Sequence, residues 1–179
     1  MEDLVTTEAN GFLKLSDARL VAIPASDLTI AVWENQLGTH RNESAYSVKR
    51  GGRDFSTARR TQFEIAFRGD RFDPKAYAMR QAEASLYIVQ FYAPPLPEFF
   101  RGIEQHGATI LRSFPRNAAI VRIDSAAIDD IRGMSMVRAV IPFEAERRIE
   151  RATGDDRKPR RYFILPSSQE SDVKGFLAA

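Results

Sequence analysis

Two histidines, a serine between two methionines, and the absence of cysteine are the first features to weigh for chemistry in this chain. His40 sits in the polar, turn-rich stretch QLGTHRNESA. His106 ends a helical pattern beside Gly107. Surface exposure or helix capping is the plain reading of both. Two histidines without a nearby acidic cluster do not make a metal site. Gly133-Met134-Ser135-Met136 resembles a serine nucleophile loop, but it falls where a helix stops and a strand starts, and no paired base is identifiable. Walker A, G-x-G-x-x-G and G-x-S-x-G patterns are absent. The chemistry expected is therefore binding rather than catalysis, with no cofactor and no metal.

Charge narrows the partner. With 26 basic and 24 acidic residues the formal charge is +2, too balanced for a dedicated nucleic-acid binder. Lys49-Arg50-Gly51-Gly52-Arg53 is similar to a single RGG box, and a basic turn is its simpler reading. Apolar residues at 44% and charged residues at 28% describe a soluble globular chain. The N-terminal MEDLVTTEANGFLKLS lacks a basic start followed by an apolar core, the mark of a secretory signal. No run approaches the roughly 18–20 apolar residues that span a bilayer. A cytoplasmic protein with no membrane contact is expected.

The elements that would position a binding surface lie between Leu86 and Phe143. Leu86–Tyr92, Ala108–Phe114, Asn117–Ile123 and Met136–Ile141 are apolar runs suited to strands. Pro97–His106 and Ser125–Arg132 have helical patterns. Pro94, Pro95 and Pro97 precede or begin the first helix, and Gly107 suits its left-handed cap. Pro115-Arg116-Asn117 makes a turn. Asp124 or Ser125 can cap the second helix, and Gly133 ends it. The resulting order, β-α-β-β-α-β, is the ferredoxin-like arrangement, so the fold class expected is α+β.

The flanks read differently. Within residues 1–85, Phe12–Leu15, Leu20–Pro24, Leu28–Glu34, Tyr46–Arg50 and Thr61–Arg68 are candidate short strands, making a β-rich region of unknown role. Gly69–Pro74 is expected to be a break and Lys75–Ala84 a short helix or linker. Residues 144–179 begin EAERRIERATGDDRKPRR, dense in charge, and are expected to be an exposed, flexible tail.

A β-α-β-β-α-β unit also occurs in RNA-binding domains, which stack bases on aromatics of the two central strands. The third strand here, Asn117-Ala118-Ala119-Ile120-Val121-Arg122-Ile123, carries none. RNA is disfavoured. A non-catalytic regulatory or scaffold domain stays open.

Residues 86–143 resemble the N-terminal propeptides of subtilisin-like (S8) serine proteases, the inhibitor I9-like domains. The resemblance rests on Tyr87-Ile88-Val89-Gln90-Phe91, Gly107-Ala108-Thr109-Ile110, Asn117-Ala118-Ala119-Ile120-Val121 and Met136-Val137-Arg138-Ala139-Val140-Ile141-Pro142-Phe143. Residues 144–179 hold no catalytic domain. The resemblance therefore implies a stand-alone inhibitor, or folding chaperone, of a separate subtilisin-like serine protease. It implies two contacts. An open sheet face, here Tyr87, Val89 and Phe91, would pack on the protease. The segment Phe143-Glu144-Ala145-Glu146-Arg147-Arg148-Ile149 would lie in its cleft like a product. A sheet covered on its second side by residues 12–70, and a solvated charged tail, are the structural alternatives. Leu177-Ala178-Ala179 is similar to the end of bacterial degradation tags, which implies an ATP-dependent protease as a second partner; an ordinary chain end is the alternative.

Overall fold

The computed structural model describes residues 3–34, 43–67, 70–77 and 86–143. The chain opens with a hairpin of β1 (Leu4–Thr6) and β2 (Phe12–Lys14). A 3-10 turn at Leu15–Asp17 leads into β3 (Arg19–Ala22), then β4 (Leu28–Trp33), β5 (Ser44–Arg50) and β6 (Arg59–Thr61). These four form an antiparallel sheet in chain order. Its central strand β4 is buried on both faces. Leu28, Ile30 and Val32 join Val21 in one core, while Ala31 and Trp33 join Val5 and Ala45 in another. That is why Ala31 and Trp33 on one face are as buried as Leu28, Ile30 and Val32 on the other. The Trp33 Nε1–H donates to the Lys14 carbonyl at 2.8 Å, which satisfies the one polar group of the indole.

The alternating stretch Thr61–Arg68 is not one strand. Strand β6 ends at Thr61 and β7 (Ile65–Phe67) starts afresh. Between them Phe63 turns into the core, and its carbonyl accepts a hydrogen bond from Gln90 Nε2 at 2.7 Å. The expected break at Gly69–Pro74 instead holds β8 (Asp70–Phe72), antiparallel to β7. This β7–β8 hairpin pairs only with itself among the described residues. Pro74–Tyr77 is a 3-10 turn at the start of the stretch Lys75–Ala84, expected as a short helix or linker; residues 78–85 lie outside the described residues.

The remaining elements keep the predicted order: β9 (Tyr87–Phe91), α1 (Pro97–Gln105), β10 (Thr109–Phe114), β11 (Ala118–Arg122), α2 (Ile128–Gly133) and β12 (Val137–Pro142). Their strands form an antiparallel sheet in the order β10-β11-β9-β12. Pro97 stands at the start of α1, where no amide donor is needed. Gly107 closes the helix at φ +84°, a conformation a side chain would strain. The second helix is shorter than expected, because Ser125–Ala127 winds as a 3-10 turn. Asp124 precedes it without a side-chain cap; its carbonyl, not its carboxylate, receives the Ala127 amide at 2.9 Å. The β10–β11 turn places Arg116 and Asn117 at φ +62° and +59°. Asn117 Nδ2 donates to Thr61 Oγ1 at 2.7 Å and ties that turn to β6.

The fold is α+β. Phe99, Ile103 and Ile131 of the two helices cover one face of the β9–β12 sheet. The same core continues into Val21, Ile30 and Val32 of the N-terminal sheet. Residues 86–143 therefore share their main core with residues 1–85 rather than enclosing one of their own. Polar ties across the junction agree: Arg50 pairs with Glu98 at 2.9 Å, and Ser135 Oγ donates to the Ala22 carbonyl at 2.8 Å.

Candidate functional site

Strand β9 decides which sheet face is available. Its odd-numbered side chains, Tyr87, Val89 and Phe91, lie beneath the helices, 2%, 0% and 0% exposed. Phe91 meets the Phe99 ring with centroids 5.3 Å apart. The expectation that these three form a partner-facing sheet surface is therefore corrected: the helices and the N-terminal sheet already occupy that face. The opposite face carries Leu86, Ile88, Ala118, Ile120, Ile141 and Phe143. Ile65 and Phe72 of the β7–β8 hairpin cover it, with Tyr77 alongside. A strand covered on both sides has no reason to alternate with polar residues, which explains the apolar β9.

One polar constellation interrupts this second face. Strand β12 carries an extra residue: Val137 opposes Phe91 and Ala139 opposes Gln90, leaving Arg138 as the bulge. A bulge re-aims a side chain, and here it sends a guanidinium into the interior, where the side chain is only 3% exposed. Arg138 donates to both Asp73 carboxylate oxygens, at 2.5 and 2.7 Å, and to Gln90 Oε1 at 2.8 Å. Glu34 lies 3.6 Å away and is itself paired with Lys75 at 3.2 Å. The guanidinium carbon stacks 4.2 Å from the centre of the Phe63 ring. Gln90 completes the set by donating to the carbonyls of Phe63 and Arg116 at 2.7 and 3.0 Å.

Two cations and two carboxylates thus neutralise one another where three parts of the chain meet: the end of β4, the β8 exit and the β9–β12 pair. Burial pushes the Asp73 carboxyl up. The Arg138 hydrogen bond, the Lys75 backbone amide and the charges of Arg138 and Lys75 outweigh it and hold the group below its ordinary value. Such a cluster fixes the geometry of the segments it joins. The described residues contain no group of three His, Cys, Asp or Glu able to hold a metal ion. Their helices include none long and apolar enough to cross a membrane.

Phe143, the first residue of the expected cleft segment, is 5% exposed, packs edge-on to Phe114 at 6.5 Å, and gives its amide to the Leu86 carbonyl at 2.8 Å. It is an anchor at the end of β12 and not a free part of a cleft-binding segment, because its ring completes the second-face core. Glu144, Ala145, Glu146, Arg147, Arg148 and Ile149 lie outside the described residues, as do Leu177, Ala178, Ala179 and His40. His106 Nδ1 sits 2.9 Å from the Gly102 carbonyl, a local helix-end contact. The basic turn is structural: Arg50 is held by Glu98 and Asp27, and Gly51 gives its amide to the Asp27 carbonyl.

Sequence reasoning missed Glu34, Asp73, Gln90 and Arg138 as a group. A signal was present in part, since Gln90 and Arg138 each interrupt an otherwise apolar run. Arg138 finds its partners 65 and 48 positions away, which no local pattern links. No curated protein and no solved structure matches the chain. One family model does match: residues 66–144, from β7 to the residue after Phe143, are similar to the family described as "Domain of unknown function (DUF8729)".

Proposed function

We propose that this chain is a non-catalytic protein inhibitor, and folding chaperone, of a separate subtilisin-like serine protease in the cytoplasm. The observation that carries the reading is the way β12 ends. Its last residues are hydrogen-bonded to β9, and Phe143 is locked against Leu86 and Phe114. The segment Glu144–Ile149 therefore starts from a fixed point, as a product-like segment must if it is to reach a cleft in one register. In the cleft it would lie extended, exchanging backbone hydrogen bonds with strand edges while alternate side chains fill pockets. The β-α-β-β-α-β order and the strand order β12-β9-β11-β10 support reading residues 86–143 as a ferredoxin-like unit of the propeptide kind. Tyr87, Val89 and Phe91 contribute to this unit as core, not as contact.

The test is inhibition of a purified subtilisin-like protease from the same organism by the full chain and by a chain ending at Phe143. Keeping Phe143 preserves the anchor, so the truncation removes only the proposed cleft segment and residues 150–179. Strong inhibition by the full chain and its loss on truncation is the expected result. Absence of inhibition by the full chain refutes the reading.

A regulatory or scaffold domain is the second reading. It is favoured by the covering of both sheet faces within the chain itself. On that reading the truncation changes nothing. Recognition of Leu177-Ala178-Ala179 by an ATP-dependent protease belongs to the inhibitor proposal as its means of turnover. Substituting Ala178→Asp and Ala179→Asp is expected to lengthen the half-life of the chain in cells.

A further inference from the structure

We infer that the outer edge of β10 is a docking site for an extended acidic segment of a partner protein, which joins the β9–β12 sheet as an added strand beside β10. The inference does not depend on the protease reading. It starts from where the backbone groups of β10 point. The Phe91 amide donates to the Asn117 carbonyl at 2.8 Å, so the odd-numbered residues of β11 turn their backbone groups to β9. Ala118 and Ile120 turn theirs to β10, where they meet Phe114 and Arg112. Ser113, opposite Ala119, therefore points its N–H and C=O away from the sheet, as does Ile110, opposite Val121 on the far side of the β10 bulge. Among the described residues no strand lies on that side of β10, and nothing bonds to these outward groups. Other sheet edges are occupied. Strand β12 is buried along its length and turns Pro142, which has no amide, outward. On β3 the Ala22 carbonyl takes the Ser135 hydroxyl. Beside β6, Ala58 exchanges backbone bonds with Thr6 and Glu8.

Charge selects the occupant. From Gly107 to Ile123 the chain carries Arg112, Arg116 and Arg122 and neither Asp nor Glu, so this hairpin is basic in a chain that is nearly balanced. Arg112 and Arg116 are exposed, and neither side chain meets an acid among the described residues. A second copy brought edge to edge would set arginines against arginines, and like charges across strands repel. The same charges, with the bulge, guard the edge against indiscriminate pairing while favouring a strand that brings carboxylates. A nucleic-acid backbone offers acceptors alone and leaves the outward carbonyls unmet; a peptide backbone answers both the N–H and the C=O. The two faces of β10 set the pattern of the incoming strand. Arg112 lies on the face of Ile120, whereas Ile110 and Ser113 lie on the face of Val121 and Ala119, where Ile110 is half-buried. An added strand should therefore alternate, with carboxylates on the Arg112 face and apolar side chains beside Ile110.

Two measurements test this. The first is amide hydrogen exchange of the full chain with and without a short capped peptide of alternating valine and glutamate. Without peptide the Ser113 and Ile110 amides should exchange freely; with saturating peptide they should slow by about tenfold or more, while the amides of β9 stay unchanged. If the Ser113 amide is already as protected as those of β11 in the peptide-free chain, the edge is taken by the chain itself or by a second copy, and the inference is overturned. The second measurement is the affinity of a peptide series. Methylating alternate backbone nitrogens of the peptide keeps every charge but removes the edge bonds, and should weaken binding by about tenfold or more. Equal affinity of the methylated and unmethylated peptides, or of the peptide and a short DNA strand, shows mere attraction of polyanions and overturns the inference. No binding of the parent peptide at millimolar concentration does so as well. The charge-reversed chain Arg112→Glu/Arg116→Glu, altered at exposed side chains, should lose about tenfold in affinity and gain for the peptide with lysine in place of glutamate. Arg112→Gln/Arg116→Gln should show a smaller loss and no such gain. Unchanged affinity in both variants refutes the choice of an acidic partner.

Discussion

Arg138 and Asp73 meet through two parallel hydrogen bonds, at 2.5 and 2.7 Å, although 65 residues separate them in sequence. The guanidinium is almost wholly buried while the carboxylate is 39% exposed. The pair is therefore asymmetric. Removing Asp73 strands a buried cation, whereas removing Arg138 returns the carboxylate to a half-solvated site beside Lys75.

That asymmetry predicts an order among variants. Arg138→Ala removes the buried charge itself but leaves a cavity and loses the packing on Phe63, and should cost about 2–5 kcal/mol, the range for truncating a large buried side chain. Arg138→Met keeps most of the volume and should cost distinctly less. Asp73→Asn should fall between them, because the introduced amide can still accept one hydrogen bond. Urea unfolding midpoints of the three variants provide the check, and the Arg138→Met/Asp73→Asn double variant gives the coupling.

Acid should weaken the same contact. Asp73 is held below its ordinary value of 3.8 in the folded chain. A carboxyl with a depressed folded value contributes stability that is fully present above the ordinary value and is lost as pH falls through the depressed one. Glu98 behaves alike: its own backbone amide first, then Arg50, hold it below its ordinary 4.5. Stability should thus be flat from neutral pH to about 5 and decline below about 4. The gap between wild type and Asp73→Asn should narrow over that decline, as followed by thermal unfolding at stepped pH.

The shared core predicts one transition. Val21, Ile30 and Val32 of the N-terminal sheet and Val89, Phe91 and Ile103 of the C-terminal unit belong to a single cluster. Trp33, the only tryptophan, reports on the N-terminal sheet alone. Its fluorescence and the far-ultraviolet circular dichroism of the whole chain should change at the same urea concentration. Two separated transitions would mean that residues 86–143 stand without the N-terminal sheet.

Phe143 links stability to the proposed inhibition. Phe143→Ala deletes a ring packed against Phe114 and should cost about 3 kcal/mol or somewhat more. If Glu144–Ile149 binds a protease cleft, the same variant should inhibit less well even at temperatures where it is fully folded. Inhibition assays and calorimetry on one preparation separate the two effects.

The sequence alone determined the order of elements from Tyr87 to Pro142. Apolar periodicity, Pro97 at a helix start and Gly107 at its end are local devices, acting within a few residues, and they read true in the structure. Several N-terminal strands were legible on the same grounds, but β1 and β8 were not, and Phe63 leaves the line of Thr61–Arg68 to enter the core. Only the tertiary structure decided which face of β9 is covered and by what. Leu86, Ile88, Tyr87, Val89 and Phe91 look alike in a sequence, because hydrophobicity records that a side chain is buried and not what buries it. Arg138 shows the same limit for charge. Its position in an apolar run marked it as unusual, but a one-residue bulge aimed it at Asp73 and Glu34. Bulges and long-range pairings depend on strand register, which is set by the packing of the whole chain rather than by the residues beside them.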